Sequence, residues 1–146
     1  MNNTFEEQLE KYGTLVYTNV GDSMMPLLRQ KRDLMVIERK GKQRCKKYDA
    51  VLYRRPAGEY VLHRILKVRP DDYVICGDNR WCREYGVPDE WILGVLTAVV
   101  RDGKEIPVTD WRYQLYVHLW CDLFYLRAGI LWAKGLPKRW KRKMRR

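Results

Sequence analysis

Three short segments of this chain carry residue types that can do chemistry together. The first is Gly21-Asp22-Ser23-Met24-Met25-Pro26, where a serine hydroxyl sits between a glycine and a proline that set a turn and present Ser23 outward. The second is Tyr60-Val61-Leu62-His63-Arg64-Ile65-Leu66, which holds one of only two histidines. The third is Gly77-Asp78-Asn79-Arg80, with Glu84 close behind it. A serine hydroxyl is a poor nucleophile until a base accepts its proton, and neutral imidazole titrates in the range to do so. A carboxylate beside the imidazole orients it and stabilises its protonated form, and Asp78 and Glu84 compete for that role. Taken singly, each segment has an ordinary use. Gly-Asp-Ser and Gly-Asp-Asn are common turn chemistry, and a lone histidine in an apolar strand is commonly structural. Together they point to acyl transfer, with Ser23 as nucleophile and His63 as general base.

The elements that position them are mostly strands. Leu15 to Val20 is rich in β-branched and aromatic residues and ends at the Ser23 turn. Further strands are expected over Leu34 to Glu38, Ala50 to Arg54, Tyr60 to Val68, Tyr73 to Cys76 and Ile92 to Val100. Pro56-Ala57-Gly58, Pro70-Asp71-Asp72 and Gly77-Asp78-Asn79 act as separators. In such a strand Val61, His63 and Ile65 share one face. Strands at this density suggest an antiparallel sheet or partly open barrel, not βαβ units. Thr4 with Glu7 three residues on predicts a capped helix reaching Tyr12. From Trp111 to Trp132, apolar residues at Leu115, Leu119, Leu123, Leu126 and Ile130 have helical spacing, so a C-terminal amphipathic helix is expected. His118, Asp122 and Arg127 interrupt it, which disfavours a transmembrane span. The organisation expected is a catalytic domain over 1–110, an amphipathic helix over 111–133 and a basic tail over 134–146.

The order of the three segments carries a resemblance. Gly21-Asp22-Ser23-Met24-Met25-Pro26 resembles the G-x-S-M-x-P box of type I signal peptidases and the related LexA-type self-cleaving proteases, and Gly77-Asp78-Asn79 resembles their G-D-N box. Where many bacterial members carry a lysine base, this chain reads Leu62-His63-Arg64-Ile65. That is similar to the endoplasmic-reticulum, archaeal and sporulation-associated branch, which uses histidine. The resemblance spans 16–100 and implies a mainly β fold, a Ser23/His63 dyad, and peptide or preprotein processing. In that branch an acid a few residues after G-D-N supports the histidine, and Glu84 stands near that place. The chain departs from the pattern in lacking an apolar helix before the serine box, since Met1 to Lys11 is polar and acidic. A LexA-like self-cleaving regulator fits less well, because too few residues precede Val20 for a DNA-binding module.

Composition bounds the remaining functions. Hydrophobic residues at 46% and charged residues at 32% exclude wholesale disorder and fibrous repeats. The net charge is +11, but Lys134 to Arg146 holds eight basic residues and no acid, so the basicity is mostly a tail. A basic run after an apolar helix suits an anionic membrane surface. It also leaves open an alternative, a catalytically silent relative that binds membrane or nucleic acid, nucleic acid being the lesser fit. Cys45, Cys76, Cys82 and Cys121 form no CxxC pair, so no zinc site or other cofactor is expected, and reduced thiols fit a cytoplasmic or peripheral-membrane protein.

Overall fold

A computed structural model describes residues 4–18 and 21–143, with side chains as far as residue 135. The chain opens with helix α1 (Phe5–Tyr12), whose start is fixed by the expected reciprocal cap between Thr4 and Glu7. Gly13, in the left-handed conformation at φ 72°, ends it and donates its N–H to Leu9. Strands β1 (Thr14–Thr18), β2 (Leu34–Arg39), β3 (Ala50–Arg54), β4 (Tyr60–Val68), β5 (Asp72–Cys76), β6 (Glu84–Pro88), β7 (Ile92–Arg101) and β8 (Lys104–Pro107) follow. The last two residues of the expected Leu15 to Val20 strand lie outside the described residues.

The protein is mainly β, an eight-stranded antiparallel sheet that does not close into a barrel. Its order is β1-β2-β7-β3-β4-β5-β6. Long β7 pairs with β2 along one side, and with β3 and then β8 along the other. Strand β3 is buried on both faces, and its alternation separates two cores. Ala50 and Leu52 join Leu9, Leu15, Met24, Leu28, Ile37 and Leu96 on one side. Val51 and Tyr53 join Ile65, Tyr73, Ile75 and Val87 on the other. The register Val51 to His63 and Tyr53 to Val61 sets β4 beside β3, so His63 lies on the face of the second core and Arg64 on the opposite face.

The C-terminal segment forms two helices where one was expected, α2 (Trp111–Asp122) and α3 (Phe124–Lys143), broken at Leu123. The break lets residues of both helices reach back to one turn of the sheet, as described below. The packed face also differs from the leucine stripe. Tyr113, Val117, Cys121, Phe124 and Arg127 are buried, whereas Leu115, Leu119, Leu123, Leu126 and Ile130 are exposed. Among the described residues no helix is long and apolar enough to cross a membrane.

Candidate active site

Ser23 lies in the loop between β1 and β2, and the loop is fastened by burial on either side of the hydroxyl. Met24 and Leu28 plunge into the first core, and a helical turn forms as the Leu28 N–H donates to Met24 at 3.0 Å. Farther along, buried Asp33 accepts from the Arg29 guanidinium at 3.0 Å and from Arg101 at 2.6 Å, tying the end of the loop to β7. Burial alone would raise the Asp33 pKa. The hydrogen bonds from Arg101 and Arg29 outweigh it and leave the carboxyl at about 2, so it is ionised at neutral pH. Ser23 itself is half-buried.

The Gly77–Arg80 turn, at the end of β5, is stitched to this loop. The Asn79 N–H donates to the Ser23 carbonyl at 2.8 Å, and Arg80 pairs with Asp22 at 2.7 Å. Gly77 is required at the junction. A Cβ there would stand 2.7 Å from the Ser23 carbonyl oxygen and 3.0 Å from His63 Nε2, so residues 23, 63 and 77, from three separate segments, converge on one point. Among the described residues no hydrogen bond joins Ser23 Oγ to His63, and the Ser23 N–H has no acceptor, which leaves that N–H open to an oxyanion.

The other edge of the imidazole faces Tyr53, on neighbouring β3. The Tyr53 hydroxyl donates to Glu84 Oε2 at 2.5 Å, so in its long 3.4 Å contact with His63 Nδ1 it can only be the acceptor. That chain favours the tautomer with a proton on Nδ1 and a lone pair on Nε2, the nitrogen facing Gly77 and the serine loop. Arg55 holds Glu84 from its far side, at 2.9 and 3.2 Å. Burial would raise the Glu84 pKa, but the hydrogen bonds from Arg55 and Tyr53 bring it below the usual carboxylate value. Burial, and then the charge of Arg55, push His63 down from 6.5 to about 4 despite Glu84, so the imidazole is neutral at pH 7 and able to accept a proton.

Asp78 is placed differently. Its carboxylate, fully buried, takes both oxygens to Arg64, Oδ1 from Nε and Oδ2 from Nη2, each at 2.9 Å. Tyr116 donates to the same carboxylate at 2.8 Å and the Trp120 indole N–H to the Asp78 carbonyl at 2.7 Å. Arg64 completes its shell on the Tyr48 carbonyl and the Tyr113 hydroxyl. Arg127 of α3 donates to the Arg80 carbonyl at 3.1 Å. Thus α2 and α3 clamp the turn through its Asp78 and Arg80 ends, while its Gly77 and Asn79 face Ser23 and His63.

Comparison with protein-family models, curated proteins and solved structures returns no match. Local chemistry therefore carries the functional reading. Of the two acids weighed for His63, Glu84 reaches it through Tyr53, and Asp78 is committed to Arg64. Residue type and local spacing give no role to Tyr53, Arg55 or Arg64. Tyr53 could have been found from strand register alone, because it lies one step diagonally across from His63 on the same face. Arg64 had a quieter signal, a cation at an inward position of an otherwise apolar strand, which demands a buried anion.

Proposed function

We propose that this chain is a serine endopeptidase acting on a peptide or preprotein, with Ser23 as nucleophile and His63 as general base. The observation that supports it best is the approach of the Ser23 backbone and His63 Nε2 to the same point above Gly77. Proton transfer requires Ser23 Oγ to close onto Nε2 when substrate seats, as catalytic hydrogen bonds often tighten only in the complex. Oγ attacks the scissile carbonyl while Nε2 takes its proton. The developing oxyanion is met by the Ser23 N–H. The C–N bond then breaks, the amine leaves with the proton from Nε2, and an ester remains on Ser23. Water, deprotonated by the same imidazole, hydrolyses that ester and restores the hydroxyl.

Glu84, through Tyr53, is the acid that stabilises the imidazolium formed in each half of the cycle. Strand β1, at one edge of the sheet and shortly before Ser23, offers its free side to an extended substrate backbone. This reading accords with the similarity of the two glycine-bearing segments to signal peptidase boxes. Incubation of the full chain with a library of unstructured peptides, read by mass spectrometry, tests it. Discrete cleavage products that vanish with Ser23→Ala and fall sharply with His63→Ala are expected. Products that persist in Ser23→Ala would refute the assignment.

A further inference from the structure

The outward face of α2 and α3 carries an apolar stripe that the protein itself leaves uncovered. Leu119, Leu123, Leu126 and Ile130 are 56, 50, 61 and 41% exposed, and with Tyr116 and Trp120 they line one shallow groove of about 360 Å³. Four large aliphatic side chains on one face of a water-exposed helix pair cost solvation free energy that a folded chain normally avoids by turning them inward. Here the inward side is taken by Tyr113 and Arg127 and by the polar ends of Tyr116 and Trp120, which satisfy the Asp78–Arg64 pair and its turn, so the leucines point away from the sheet.

Charge around the stripe says what covers it. A neighbouring cleft of about 700 Å³ at the helix junction is lined by Lys47, Lys67 and Arg83, and by Arg69, which is itself paired with Asp72. Its single acid, Asp122, is already held by the Tyr48 hydroxyl and by His118. No acidic residue follows Asp122 in the sequence, and eight Lys and Arg lie between Lys134 and Arg146. Trp120, half-buried, lines the same groove as the leucines. An aliphatic strip flanked by cations and a tryptophan matches a bilayer interface, with acyl chains for the leucines and anionic headgroups for the cations. A second copy of this chain would bring the same cations against themselves. Nucleic acid would satisfy the cations and leave the leucines in water.

We propose that α2 and α3 dock the protein in plane on an anionic lipid surface, with Leu119, Leu123, Leu126 and Ile130 entering the acyl boundary. The inference is independent of whether Ser23 hydrolyses a peptide. The test is cosedimentation of the full chain with phosphatidylcholine vesicles, with and without phosphatidylglycerol, next to a Leu123→Glu/Leu126→Glu variant shown to be folded by circular dichroism. Retention on the phosphatidylglycerol vesicles, weaker in high salt and reduced at least roughly tenfold in the double variant, is expected. A blue shift of tryptophan emission should accompany it. Three results would overturn the proposal: no retention on either vesicle, retention that the double variant leaves unchanged, or a wild-type dimer in light scattering that the double variant converts to monomer. Salt-sensitive retention on nucleic acid without vesicle binding would overturn it equally.

Discussion

Asp78 and Arg64 form a fully buried, two-pronged ion pair at 2.9 Å, on the face of the sheet opposite His63. The turn that resembles a catalytic box is therefore divided in its work. Gly77 and Asn79 shape the serine site, and Asp78 anchors the turn to β4 and α2.

Asp78→Asn should act first on stability. It leaves the Arg64 guanidinium buried without an anion, a loss of about 3–5 kcal/mol, which in a chain of this size lowers the thermal midpoint by on the order of 10 °C. Thermal denaturation checks this. An unchanged midpoint with abolished activity would instead make Asp78 a catalytic group.

Gly77→Ala should act first on chemistry. The added methyl meets the Ser23 carbonyl at 2.7 Å and His63 Nε2 at 3.0 Å, so one of the two must move. A displacement of that size costs on the order of 100-fold in acylation of Ser23, with a stability loss of about 1–3 kcal/mol. Acylation at the wild-type rate would show that the convergence at Gly77 is not the reacting geometry.

Tyr53→Phe breaks the path from Glu84 to His63 while keeping the ring that fills the second core. The lost hydrogen bond is worth about 1 kcal/mol, so acylation should slow by roughly 5- to 10-fold. Glu84→Gln should slow it comparably, and the double variant should be little worse than either single one. Additive losses would mean that the two residues act separately.

The pH dependence follows from the environment of His63. Because the base must be neutral and its pKa is lowered to about 4, kcat/KM should hold its value down through pH 6 and fall only near pH 4. Arg55→Met removes a cation that lowers this pKa, so the acid limb should move to higher pH. Stability follows the same group. The unfolded chain takes up the histidine proton near 6.5 and the folded one near 4, so acidification through that window favours unfolding and the loss levels off below it. A profile with an acid limb near 6.5 would contradict the burial of the imidazole.

Much of this was legible in the sequence where pattern and physics agree. Ala50–Arg54 and Tyr60–Val68 are bounded as the turn formers around them indicate, because the first is buried almost throughout and the second is buried or partly buried as far as Leu66. Strands Glu84–Pro88 and Lys104–Pro107 were missed. The first buries only Val87 and the second buries nothing, so neither carries an alternation to detect. The C-terminal helices mislead for a different reason. Spacing alone turns the leucines inward, but the buried Arg64–Asp78 pair and its turn need polar partners: the Tyr113 hydroxyl accepts from Arg64, Tyr116 donates to the Asp78 carboxylate and the Trp120 indole donates to the Asp78 carbonyl. Satisfying a buried charge outweighed burying aliphatic area. At the site, Ser23 and His63 announce themselves by residue type. The choice of Glu84 over Asp78 near His63 depends on strand register and on which face Arg64 occupies, neither of which local spacing specifies.

The most direct measurement is mass spectrometry of the full chain after exposure to serine-acylating probes, including a penem and a lipopeptide warhead, beside Ser23→Ala and His63→Ala. A single adduct mapping to Ser23, absent from Ser23→Ala and greatly reduced in His63→Ala, is the predicted result. A folded protein in which Ser23 labels no faster than the chain does with alanine in its place would contradict an activated nucleophile at this position.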